Sequence, residues 1–138
     1  MSKRETILAA AVSALAGTTQ VSTNIFRSRA VAFHRSEHPC LNIEPLSESC
    51  TREAVGRLTW ELTFHVMVLV RADGPDTAAD PITVDVHSKL ANDATLQGLV
   101  VDFVPVGTDW QFVDADKQLG VISMQYKVIY QTTELALT

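Results

Sequence analysis

Residues Arg57–Arg71 read RLTWELTFHVMVLVR. Leu58, Trp60, Leu62, Phe64, Val66, Val68 and Val70 alternate with Arg57, Thr59, Glu61, Thr63 and His65. Successive side chains of an extended chain point to opposite faces. A period of two held this long therefore predicts a long strand with one face in a core. The final third, VMVLV, is apolar on both faces. That end is expected to be covered on both sides by other protein, a second subunit included.

The stretch Leu119–Thr133 repeats the pattern. Ile122, Met124, Tyr126, Val128 and Tyr130 share one face, and Ser123, Gln125, Lys127 and Gln131 the other. Between the two, Asp73-Gly74-Pro75-Asp76 is loop chemistry. Asp80-Pro81 reads as an N-cap followed by proline at the first helical position. Ile82, Val86 and Leu90 recur every four residues, so a helix is expected from there to Asn92-Asp93. Residues 99–106 (LVVDFVPV) and Trp110–Val113 read as two further strands.

On the N-terminal side, residues 24–34 lean toward β structure, anchored by Phe26, Val31 and Phe33. Residues 35–56 are rich in Ser, Glu, Pro and Arg. They read as a loop-rich insertion with one short strand near Leu41–Glu44. The start, MSKRETILAAAVSALAG, has a basic residue pair and an alanine-rich run, as a secretory signal does. Glu5 sits in what would be the positive region, and Ile7, Leu8, Ala11, Val12 and Leu15 fall on one helical face. Ser2 and Glu5 fit a capping box, and Gly17 a helix stop. An amphipathic helix over residues 3–16 is therefore expected. The whole predicts an α+β fold, a mostly antiparallel sheet with two helices packed on it, forming one domain over residues 1–138.

Composition narrows the function. A chain of 138 residues suits one domain with a real core. Its 46% hydrophobic and 20% charged residues are ordinary for a globular protein. The net charge of −5 disfavours nucleic-acid binding. No apolar run approaches the length of a membrane-spanning helix. Walker, G-x-G-x-x-G, G-x-S-x-G, H-E-x-x-H and C-x-x-C motifs are all absent from the sequence. His34, His38 and Cys40 make a weak metal-like spacing in a stretch that reads as loop. His65 and His87 read as satisfied or exposed surface histidines, Trp60 and Trp110 as core or interface anchors. Cys40 and Cys50 read as free thiols, with a bridge geometrically open. No cofactor or metal site is expected.

Charge is placed unevenly. Residues 1–35 hold Lys3, Arg4, Arg27, Arg29 and Arg35 against Glu5 alone; residues 73–116 hold nine aspartates against Lys89 alone. One reading is a solvated acidic surface. The other is a head-to-tail assembly in which the basic face of one copy meets the acidic face of the next, a contact type that closes into rings.

The order of elements over 57–133 adds to this. The phrase D-x-T-L-x-G-L at Asp93–Leu99, a Trp followed by an acidic stretch at Trp110–Asp116, and the ending Y-x-V-x-Y-x-T at Tyr126–Thr132 resemble the tail terminator proteins of long-tailed bacteriophages, also described as minor tail U-like or tail completion proteins. The resemblance implies a homo-oligomeric ring, usually a hexamer. Such a ring sits on the head-proximal end of the tail tube in the virion, and its subunits assemble in the host cytoplasm. It stops polymerisation of the major tail tube protein and offers a surface to a head-side connector or neck protein. DNA passes its pore without specific binding. No reaction, cofactor or membrane is implied.

On that basis the subunit or tube interface is expected to use Arg27, Arg29, Arg35, Met67, Leu69 and Arg71. Asp73, Asp76, Asp102, Asp109, Asp114 and Asp116 are expected to face the lumen or a tube contact. The alternatives are a head-completion or neck protein on the portal side, a small metal-dependent enzyme using His34 and His38, and a secreted binding domain with a Cys40–Cys50 bridge.

Overall fold

A computed structural model describes residues 1–18, 20–21, 24–29, 39–93, 96, 98–113 and 118–138. In chain order the elements are α1 (Lys3–Ala14), β1 (Ile25–Arg27), β2 (Cys40–Ala54), β3 (Arg57–Arg71), α2 (Pro75–Asn92), β4 (Asp102–Val113) and β5 (Leu119–Thr133). The two alternating stretches pair antiparallel in unbroken register, from Arg57 opposite Thr133 to Arg71 opposite Leu119. They form the centre of a five-stranded sheet ordered β1-β2-β3-β5-β4. Among the described residues only β1 runs parallel to its neighbour; the other pairings are antiparallel.

Both helices lie on one face of this sheet. The even residues of β3 and β5, with Leu41 and Ile43 of β2, meet Ile7, Leu8, Ala11 and Leu15 of the α1 region and Ala79, Ile82, Val86 and Leu90 of α2 in one core. Phe64, Tyr126 and Tyr130 are its largest side chains and are almost fully buried. Apolar burial of this kind is the main force holding the layers together, roughly 1.5–3 kcal/mol for each large side chain. Fold class is thus α+β as expected, with more strand than the pattern suggested.

Several boundaries differ from expectation. Residues 40–54 are not a loop with a short strand. They form a 15-residue strand that follows β3 from Cys40 opposite Leu69 to Ala54 opposite Arg57. Its outer half shows no apolar alternation because both of its faces are exposed there, so the pattern that marks a half-buried strand is missing. Gly56 closes the hairpin with φ +83°, a conformation glycine adopts without strain.

Residues 102–113 are one strand, not two. A bulge between Pro105 and Gly107 absorbs the break that the sequence suggested. Helix α2 begins at Pro75 with Gly74 as N-cap, and Pro81 lies inside it. Proline has no N–H for the preceding turn, but Pro81 is on the exposed side, where water can satisfy the freed carbonyl. At the other helix Ser2 Oγ accepts the Glu5 N–H (3.2 Å) as expected of a cap. Glu5 does not close the capping box; its carboxylate goes to Arg27 instead.

Cys40 is buried and Cys50 exposed, and neither is in a disulfide. Ten positions apart on one strand, their backbones stand roughly 30 Å apart, so the bridge left open by sequence is excluded in this fold. Among the described residues no helix is long and apolar enough to cross a membrane.

Candidate functional site

The register of the sheet decides where the charged residues fall. Arg27 is on β1, one outermost strand, and its guanidinium holds Glu5 by two hydrogen bonds of 2.9 and 3.0 Å. This pairing keeps the Glu5 carboxyl below its ordinary pKa. Arg29 follows β1 and stacks over the Phe26 ring at 4.8 Å, with its backbone N–H donated to Asn42 Oδ1 at 3.1 Å. Asp102 and Asp109 are on β4, the opposite outermost strand. Asp102 accepts the Phe103 N–H at 2.9 Å, and Asp109 accepts the Gln125 side-chain amide at 3.0 Å. Asp73 precedes α2 and Asp76 lies in its first turn, where the helix dipole favours a negative charge.

Among the described residues, Arg27 and Arg29 therefore do not meet Asp102 and Asp109 in one copy. They occupy opposite edges of the sheet, four strand spacings or roughly 19 Å apart. Met67, Leu69 and Arg71 lie between them on the face without helices. Leu69 is only 7% exposed, so the apolar end of β3 is already largely covered within a single chain. Arg35, Asp114 and Asp116, together with His34 and His38, lie outside the described residues.

Beside the acidic edge the surface opens into a cleft of about 360 Å³. Asp76, Asp80, Val84, His87 and Ser88 of α2 form one wall, and Thr108 and Trp110 of β4 the other. Helix α2 packs on β3 and β5 and leaves the helix-side face of β4 open from Thr108 onward, whereas Phe103 at the start of the strand packs on the core. Trp110 is 58% exposed there, with Phe112 beyond it. Sequence singled out Trp110 only as an anchor; its exposure depends on where α2 stops, which no local pattern encodes.

A second constellation went unread in the sequence. Across β2, β3 and β5, His65 Nε2 lies 3.1 Å from Glu44 Oε1 and His65 Nδ1 lies 2.8 Å from Ser123 Oγ. In a neutral imidazole the first nitrogen donates to the carboxylate and the second accepts the serine hydroxyl. The chemical order is that of a nucleophile, a base and an orienting acid. Its setting is wrong for catalysis. Ser123 sits in mid-strand, paired with Met67 on one side and Asp109 on the other, on the sheet face opposite the cleft. The neighbouring backbone amides belong to a continuous ladder, which leaves no pair of N–H groups aimed at a developing oxyanion. We read it as a cross-strand polar ladder that holds the three strands in register.

Two more polar clusters serve packing. Tyr130 donates to Glu48 at 2.6 Å, Arg4 pairs with Glu48 at 2.7 Å, and α1 is thereby tied to the sheet. His87 Nδ1 lies 3.2 Å from the Tyr126 hydroxyl, and the two rings stack at 6.1 Å. Burial pushes both tyrosine hydroxyls up to about 12. Among the described residues no group of His, Cys, Asp and Glu is placed to hold a metal ion.

Comparison with known proteins adds a family to this geometry. The profile of the family described as phage minor tail protein U matches residues 2–130 of the chain. The chain belongs to that family. It is accordingly a structural component of a bacteriophage tail. No curated protein matches the chain. The match runs through α1 and nearly to the end of β5, so it spans the fold rather than one motif of it.

Proposed function

We propose that this chain is a tail terminator: copies of it form a ring, in the manner of a hexamer, on the head-proximal end of the tail tube. The ring caps the growing tube, halts addition of the major tail tube protein, and presents its other side to the head-side connector or neck protein. The observation that carries this reading is membership of the minor tail protein U family along almost the whole chain. The arrangement of charge supports it. Asp102 and Asp109 lie along the outermost strand β4, and Asp73 and Asp76 lie at the start of α2 near Phe112, at one end of that strand. In the ring these aspartates face the lumen or the tube. A negative lining repels DNA phosphates, so the genome passes without the counterion-release binding that a basic pore invites. The work is done by binding alone, and needs no cofactor.

Deletion of the gene tests the proposal. Electron microscopy of the lysate is expected to show tails of irregular length, unattached to capsids. Tails of normal, uniform length joined to capsids would overturn it. Reversal of Asp73, Asp76, Asp102 and Asp109 to lysine together tests the acidic surface. Unchanged assembly and unchanged DNA affinity would remove that part of the reading.

A further inference from the structure

The pairing registers place the two edges of the sheet at one level. Ile25 of β1 lies opposite Leu41, Leu41 opposite Val68, Val68 opposite Ile122, and Ile122 opposite Trp110 of β4. The next row on the same face runs Arg27, Ile43, Val66, Met124 and Thr108. The basic edge strand and the exposed tryptophan therefore stand at the same height on opposite sides of the molecule. Strand directions are also matched. Since β1 is parallel to β2 and each later pairing is antiparallel, β1 and β4 run in opposite senses. A copy turned about an axis along the strands would bring its β1 beside β4 of its neighbour as an antiparallel pair.

Chemistry favours the same contact. From Gly107 to Val113, past the bulge, β4 is free of proline and exposes Trp110, Phe112 and Val113. A long, exposed, apolar edge is an aggregation hazard unless something covers it. Residues 90–113 contain no lysine or arginine, while at the other edge Arg27 and Arg29 outnumber Glu5, which holds Arg27. The two edges are thus opposite in sign, which selects the heterologous pairing over β4 against β4.

We infer that β4 of one copy receives β1 of a second copy, continuing the sheet across the subunit boundary. Trp110 then covers the neighbour's Ile25, and the neighbour's Arg29 faces Asp76 and Asp80 in the cleft, while Arg27 stays with Glu5 of its own copy. An interface without axial offset closes into a ring instead of climbing into a filament. This inference rests on the ring reading above and gives that ring its seam.

Two charge reversals test it. Asp80→Lys alters the receiving edge and Arg29→Glu the entering edge, both at surface or half-exposed positions. Alone, each variant is expected to need at least tenfold more protein to form rings, as measured by sedimentation velocity. Mixed in equal amounts they are expected to assemble again, alternating around the ring, because each entering edge then meets a receiving edge of opposite sign. Single variants that assemble like wild type, or a mixture that stays unassembled, would overturn the inference.

Tryptophan emission supplies a second readout. In a Trp60→Phe background Trp110 is the sole tryptophan. Its emission should shift to the blue and its quenching by acrylamide should fall when rings form. Rings with Trp110 emission unmoved would reject this seam and leave the ring standing. Failure of the wild-type protein to self-associate, either free or with tail tubes present, would reject both.

Discussion

The β3–β5 centre and the β4 edge use the same sheet geometry for opposite ends. In the centre, aromatic side chains are enclosed. Phe64 and Tyr126 lie 5.9 Å apart, and the half-buried Trp60 stacks on Tyr130 at 6.3 Å while donating its indole N–H to Thr132 at 2.9 Å; Phe103, at the start of β4, still reaches this centre and stacks on Tyr126 at 5.1 Å. At the edge Trp110 and Phe112 point to the same side of the sheet, but no helix covers them. The difference teaches that alternation alone does not mark a folding core. What decides is whether a helix continues over the strand.

The sharpest way to break the comparison is to empty the centre. Phe64 is fully buried between the helices and the sheet. Phe64→Ala is expected to cost about 3–5 kcal/mol, the loss of apolar transfer plus the cavity left behind. Urea denaturation monitored by circular dichroism gives the number. A cost below about 1 kcal/mol would mean that the centre is no better packed than the edge.

Alkaline titration probes the same region more gently. Tyr126 and Tyr130 have hydroxyls pushed up to about 12, chiefly by burial, with the Glu48 carboxylate adding to the effect at Tyr130. Both groups are acids that stay neutral longer in the folded state than in the unfolded one. Their contribution is therefore complete below the ordinary tyrosine value of 10 and is lost as pH rises from there through about 12. Urea midpoints measured at stepped pH should fall over that window, and Tyr126→Phe should reduce the fall by about half. A flat profile would place both hydroxyls in water.

The sequence made the centre legible and left the edge obscure, and the reason is physical. Residues 57–71 and 119–133 bury one face each, so burial writes its period of two into them. Ser47–Ala54 is just as extended, but its hairpin tip is exposed on both sides, and nothing selects an apolar residue at every second position. The bulge at Pro105 split one strand into two apparent ones. Helix α2 was placed late because Pro81 resembles a start signal, while the true start uses Pro75 in the same role. Of the candidate site, the charge asymmetry was readable from composition along the chain. That its two signs stand on opposite edges at one level follows from long-range pairing, which no local pattern carries. Glu44, His65 and Ser123 were unreadable for the same reason: they lie on three different strands.

Gly120 marks the border between the two regions. It sits on β5 opposite Phe112, under the start of α2. A methyl group there would come within 2.6 Å of the Pro75 ring and 3.7 Å of Phe112. The proline ring is short and stiff, so the helix start has to move outward. Gly120→Ala is expected to cost about 1–3 kcal/mol, as overpacking usually does. The amide exchange of α2 should rise at its first turn more than at its last. Uniform protection along α2 would show that the helix does not rest on this glycine.

The smallest expected effect separates the regions best. Trp110 makes no ring contact or hydrogen bond among the described residues and is more than half exposed. Trp110→Ala is therefore expected to change folding stability by no more than about 0.5 kcal/mol, the range of ordinary surface substitutions. Tryptophan is the largest side chain available, and a residue of that size adding nothing to the fold has its energy to give elsewhere. The same variant that is silent in urea denaturation should weaken self-association, because the apolar area it removes is buried only when a neighbour arrives. Substitution of Trp60, which is stacked and hydrogen-bonded, should behave the other way, lowering stability first. If Trp110→Ala instead destabilised the isolated subunit by several kcal/mol, the edge would be part of the core, and the contrast between the two regions would disappear.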